Sequence, residues 1–110
     1  MPETDEIVRA IGHLQGAFED LAVRGLRSAG PQQLAPLESL REEFERIGAD
    51  HLAGRIAAVV DAIRTNDRAA AAALMRAQAS LRLFDRVLTL EVAGDVLRRL
   101  SEGEPEEDDA

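Results

Sequence analysis

The sequence predicts an all-α fold, an up-and-down bundle of about four helices followed by an acidic, disordered C-terminal tail. First, apolar residues recur at alternating spacings of three and four along most of the 110-residue chain, which is the spacing of a helix face. Second, glycine, proline and asparagine fall at three points that divide this pattern into four parts. Third, the only aromatic residues are three phenylalanines. The core therefore consists of Leu, Ile, Val and Ala, which suits close helix–helix packing.

The first helix is predicted over residues 5–29. Thr4 provides an N-cap, and two acidic residues follow it at the positive end of the helix dipole. A glycine–proline pair at 30–31 ends the helix. Its apolar seam has +4 and +3 spacings, which indicate nearly parallel packing against a neighbouring helix. The seam residues are Ile7, Ile11, Leu14, Phe18 and Leu21.

Two glycines, Gly12 and Gly16, lie one turn apart beside this seam. Each glycine in a helix costs about 1 kcal/mol relative to alanine. Close approach of another backbone would justify that cost, and simple tolerance of glycine explains it equally well.

The second and third helices are predicted over residues 36–47 and 51–65, after a connector at 30–36 that contains two prolines. Gly48 is the predicted C-cap of the second helix, and Asp50 is the predicted N-cap of the third. A single bent helix through Gly48 is the alternative. A break is favoured because the apolar seam steps by five residues at this point.

The last helix is predicted over residues 67–100. Asn66 tolerates the left-handed backbone that ends the preceding helix, and Asp67 is the predicted N-cap. The apolar residues between positions 81 and 90 cover more than one side of this helix, which predicts contacts with two or more neighbours.

The apolar face of the last helix then changes sides. At 100° per residue, Glu91 falls near the middle of the preceding apolar arc, so partial burial and an ion pair with Arg55 or Arg64 are expected. A bend at Gly94 explains the change of face, and a second chain packed against this end of the helix explains it equally well. Beyond Glu91, three apolar residues lie on the side of the helix that polar residues occupy before it. They are Val96, Leu97 and Leu100.

Most of the net charge of −8 belongs to the last ten residues. Residues 101–110 hold six acids and no base, whereas residues 1–100 hold 15 acids and 13 bases, all of them arginine. These totals predict one helical domain over residues 1–100 and a disordered, solvated tail over residues 101–110. The use of arginine in place of lysine, together with the many alanines, is typical of a high-GC bacterial source.

The sequence contains no constellation typical of a catalytic, cofactor-binding or metal site. It has no cysteine, and neither His13 nor His51 has an acid three residues before it, as the metal sites of helical bundles require. The near-neutral body lacks the basic face of a nucleic-acid-binding protein. No apolar run approaches the length of a membrane span, and the acidic N-terminal residues do not resemble a secretory signal. A cytoplasmic protein that binds neither nucleic acid nor membrane is expected.

The function that this pattern favours is a non-enzymatic helical interaction or assembly module whose partner is a second copy or another protein. A homodimer is expected to form through the first and last helices. The predicted interface residues are Gly12, Gly16, Phe18, Leu21, Glu91, Val96, Leu97 and Leu100. A small-ligand or regulatory domain with a pocket between helices, near Glu91, is the alternative.

Overall fold

The computed structural model describes residues 4–103, and the all-α bundle predicted from the sequence is confirmed over this range. The described residues form four α-helices and one short 3-10 helix. These elements are α1 (Thr4–Arg24), the 3-10 helix (Leu26–Ser28), α2 (Pro31–Ile47), α3 (Asp50–Arg64) and α4 (Ala70–Gly103). The predicted disordered tail is wrong for residues 101–103, because α4 continues through Gly103. The rest of the predicted tail, from 104 to 110, lies outside the described residues.

The boundary between α1 and α2 differs from the sequence prediction on both sides. α1 ends at Arg24 and not at residue 29, because Gly25 has a φ of 89° and the next three residues form the 3-10 helix. α2 begins at Pro31, five residues earlier than predicted. Gln33 explains the early start, since its Oε1 accepts a hydrogen bond of 2.8 Å from the backbone N–H of Gly30, as in a capping box. Pro36 therefore lies inside α2 and not at its start.

The prediction of a break between α2 and α3 is confirmed. Gly48 has a φ of 97°, and its backbone N–H donates to the carbonyl groups of Phe44 and Glu45. A left-handed glycine after the last helical turn is the usual C-cap. The predicted capping role of Asp50 is wrong, because the N-cap of α3 is Ala49 and no side chain caps this end.

The predicted start of α4 is partly confirmed. Asn66 has a φ of 55°, and the Oδ1 atom of Asp67 accepts a hydrogen bond of 2.9 Å from the N–H of Ala69. The side chain of Asp67 therefore caps the turn that leads into α4, as predicted. The regular helix begins three residues later than predicted, at Ala70.

The four helices enclose one apolar core. α2 packs between α1 and α3, and α4 packs against α3 and α1. No polar or charged side chain of residues 4–103 is buried in this core. Its largest fully buried side chains are Phe18, Phe44, Leu14, Leu21, Leu37, Ile56 and Val59.

The length of α4 sets the shape of the molecule. It has 34 residues, whereas the other α-helices have 21, 17 and 15. At 1.5 Å per residue α4 spans roughly 51 Å, so its last turns extend past the shorter helices. No helix among the described residues is both long enough and apolar enough to cross a membrane.

Candidate interaction surface

The second half of α4 lies outside the core. The last fully buried side chain of this helix is Leu81, and Phe84 and Leu88 are half-buried against the core. From residue 89 to residue 102 every side chain is exposed, apart from half-buried positions at Gly94 and Asp95. The shorter helices end before they can cover this part of α4, so its apolar side chains face solvent.

Four leucines form the main apolar feature of this exposed region, which we call the outer stripe: Leu83, Leu90, Leu97 and Leu100. Their side chains are 63%, 64%, 66% and 61% exposed. The first three are seven residues apart, so they lie on one side of the helix within roughly 40° of one another. Leu90 lies about 180° around the helix from the buried Leu81, so the outer stripe points away from the core.

The predicted change of face along α4 is incomplete, because Leu97 lies within roughly 20° of Leu90 around the helix and belongs to the same stripe. Beyond residue 90 the exposed apolar residues include Val96, at 45% exposure, beside Leu97 and Leu100 of the outer stripe. On the other side of the helix, Asp95 pairs with Arg98 at 3.3 Å and with Arg99 at 2.8 Å. α4 is helical through Gly94, so the two apolar faces belong to one continuous helix.

The expectations for Glu91 are wrong. Its side chain is exposed, and it pairs with neither Arg55 nor Arg64. Arg64 instead forms an ion pair with Glu38 of α2, across the α2–α3 contact. Glu91 borders a surface depression that is lined only by residues of α4 and by Thr4 at the start of α1. This depression lies between α4 and the start of α1, and binding of a ligand near Glu91 stays a prediction.

The side chain of Arg55 is a feature that the sequence did not reveal. It is half-buried on α3, and its Nε atom is buried without a hydrogen-bond partner among the described residues.

Phe18 and Leu21 are core residues and not interface residues. Their side chains are only 2% and 0% exposed, because the seam of α1 faces the other helices of the same chain. No partner can reach them without unfolding α1 from the bundle.

Gly12 and Gly16 are exposed, on one side of a groove of about 530 Å³ between α1 and α2. A Cβ atom built at either position has no heavy atom within 4 Å. Close approach of another helix of the same chain therefore does not explain these two glycines.

The exposure of Leu83 and Leu90 was not predicted from the sequence. Both were expected to contact two or more neighbouring helices, and both face solvent instead. The available signal was the spacing of leucines at positions 83, 90 and 97, which is the seven-residue repeat of a helix–helix seam.

Comparison of this chain with protein-family models, with curated protein sequences and with solved structures found no match. Among the described residues, no group of three or more His, Asp or Glu side chains is placed to hold a metal ion. The exposed surfaces of the bundle are therefore the features that bear on its function.

Proposed function

We propose that the protein is a non-enzymatic self-association module that forms a homodimer through the outer stripe of α4. The observation that supports this function is the exposure of all four leucines of the outer stripe, each above 60%, on one side of one continuous helix. Full burial of a leucine side chain contributes roughly 1.5–3 kcal/mol, so a partner that covers the stripe gains substantial free energy.

The surroundings of the outer stripe favour a helix as its partner. The stripe follows the seven-residue repeat by which helices pack side by side. Val87 and Val96, which are 44% and 45% exposed, flank it and widen the apolar surface. Two copies of one straight apolar surface can cover each other in a closed dimer, as is common for soluble homo-oligomers.

The proposed interface lies on α4 alone and does not include α1. The seam of α1 is buried in the core, as Phe18 and Leu21 demonstrate. The exposed valines of α1, Val8 and Val23, are 53% and 87% exposed and are separated by 15 residues, so they form no continuous stripe.

Size-exclusion chromatography with light scattering tests the proposed function. We expect a mass of twice the 11.9 kDa of one chain, with a monomer population that grows on dilution. Leu97→Asp places a charge in the outer stripe and should yield a monomer that remains folded by circular dichroism. Val23→Asp is the matched control, because it places the same charge at an exposed valine on α1. A wild-type chain that is monomeric at every concentration would refute the proposed function.

A second candidate function is binding of a small molecule in the groove between α1 and α2. Its volume of about 530 Å³ lies within the usual range of ligand pockets. Leu40 and Ala17 line it, and His13, Asp20 and Glu43 supply polar groups. A thermal-shift screen against metabolites tests this function, and Gly16→Leu, which fills the groove, should abolish any shift that is found.

A further inference from the structure

We infer that the two α4 helices of the dimer run antiparallel, so that the acidic C-terminal segment of each chain lies over arginines of the partner. This inference rests on the proposed function, because it specifies how a second copy covers the outer stripe. Three features of the chain support the antiparallel orientation. They are the exposed arginines in the first half of α4, the reversal of charge from α4 to the C-terminus, and the spacing of the leucines.

The arginines are Arg76, Arg82 and Arg86. All three are exposed, and on the helix they lie within roughly 60° of Leu97, on the side that carries the outer stripe. None of them has a carboxylate within 4.0 Å among the described residues. Arg98 and Arg99, in the second half of the same helix, both pair with Asp95. The first half of α4 therefore presents positive charge that no carboxylate of residues 4–103 in its own chain neutralises.

The charge reverses along this part of the chain. Residues 67–90 hold four arginines and two aspartates, for a net charge of +2. Residues 91–110 hold eight acids and two arginines, for a net charge of −6. An antiparallel pair places each acidic segment beside the partner's positive segment, whereas a parallel pair places the two acidic segments side by side. Opposite charges across an interface favour the orientation that joins them.

One register of the antiparallel pair buries leucines against the partner helix and also places acidic residues beside the partner's arginines. When Leu90 packs beside the partner's Ala93, Leu83 packs against the partner's Leu100. Glu102 then lies level with the partner's Leu81 and next to the partner's Arg82. The segment after residue 103 leaves α4 within about 6 Å, along the helix axis, of the level of the partner's Arg76. Its seven residues, each reaching up to ~3.3 Å, are long enough to cover that arginine.

The parallel orientation offers less electrostatic stabilisation. In-register parallel helices bring Arg86 towards the partner's Glu91, as opposite charges flanking a seven-residue repeat do. Each such exposed pair contributes only about 0.2–1 kcal/mol. The same orientation sets the six acids of residues 101–110 beside the six acids of the second chain.

Cross-linking of single-cysteine variants tests the orientation, because the natural chain contains no cysteine. Ala79→Cys and Ser101→Cys replace small, exposed residues on the side of the outer stripe and leave its leucines intact. In the antiparallel dimer Ala79 lies within about one helical turn of the partner's Ser101, whereas each residue is roughly 28–37 Å from its own copy. A short bismaleimide should therefore link a mixture of the two variants and should fail to link either variant alone.

The possible results distinguish a wrong helix orientation from the absence of a dimer. Efficient cross-linking of each variant with itself would overturn the antiparallel orientation and leave the dimer in place. A dimer by light scattering that yields no product in the mixture would also overturn the inferred register. If both variants and the natural chain are monomeric by light scattering, the proposed function itself fails, and the inference fails with it.

Discussion

The ring of Phe84 in α4 meets the ring of Phe44 in α2 edge to face, with centroids 5.9 Å apart and ring planes at 84°. Phe44 is fully buried, and Phe84 is half-buried at the edge of the core. Beyond this pair, only Leu88 of α4 still packs against the core. The aromatic contact therefore lies where α4 leaves the bundle, between the part that stabilises the fold and the part that carries the outer stripe.

The contact between the two phenylalanines should stabilise the bundle beyond its apolar burial. Edge-to-face aromatic pairs contribute about 0.5–1.5 kcal/mol in double-mutant cycles. We predict that Phe44→Leu and Phe84→Leu each lower the free energy of unfolding, and that the double variant loses less than the sum of the two. Urea unfolding of all four proteins measures this coupling. Strictly additive losses would show that the ring geometry contributes nothing specific.

Stability of the fold and stability of the dimer should respond differently to changes in the outer stripe. Leu90 is 64% exposed and lies beyond the last buried position of α4. We predict that Leu90→Gln weakens dimerisation by tenfold or more and changes the unfolding free energy of the monomer by less than about 0.5 kcal/mol. Sedimentation equilibrium measures the first quantity, and urea unfolding at a concentration below the dissociation constant measures the second. Leu81→Gln, at a buried position of the same helix, should unfold the bundle instead.

Replacement of glycine by alanine should raise the unfolding free energy at one position of this chain and lower it at another, because the backbone angles of the two glycines differ. Gly16 is exposed inside α1, with open space where a Cβ atom would lie, so Gly16→Ala should raise the unfolding free energy by about 0.5–1 kcal/mol. Gly48 has a φ of 97° at the end of α2, so Gly48→Ala should lower it by roughly 1 kcal/mol. Thermal unfolding of both variants tests the two signs. A loss of stability in Gly16→Ala would reveal a close contact at this position, and loss of the dimer would place that contact in the interface.

Local signals in the sequence predicted most of the fold correctly. The break at Gly48, the left-handed Asn66 and the capping side chain of Asp67 each depend on a few neighbouring residues. The predicted start of α2 is wrong because two prolines suggested a connector. In fact the first, Pro31, occupies the first helical position, where proline is favoured, and Gln33 supplies the cap.

The candidate surface was less predictable, because burial depends on which neighbours reach a side chain. The periodicity of Phe18 in α1 and of Leu90 in α4 looks the same in the sequence, yet one side chain is 2% exposed and the other 64% exposed. The difference arises from the lengths of the helices. α1 is enclosed by the bundle, whereas α4 continues past the ends of its neighbours. Apolar periodicity therefore predicts that a face will be covered, without showing whether the cover comes from the same chain.

Removal of residues 104–110 distinguishes the two orientations of the dimer by the sign of its effect. This deletion removes five acids and leaves the described helices intact. In the proposed antiparallel dimer these acids are within reach of the partner's Arg76, so their loss should raise the dissociation constant by about three- to tenfold. In a parallel dimer the same acids repel their copies, so their loss should lower it.

The salt dependence of the dissociation constant is the control for this deletion. Between about 0.1 M and 1 M salt the screening length falls from ~10 Å to ~3 Å, so the attraction between the acidic segment and exposed arginines weakens. We predict that salt raises the dissociation constant of the full chain and has a smaller effect on the chain that ends at residue 103. Analytical ultracentrifugation of both proteins at the two salt concentrations measures the difference. A dissociation constant that falls with salt for the full chain but not for the chain that ends at residue 103 would mean that the acidic segments repel each other, which contradicts the antiparallel orientation.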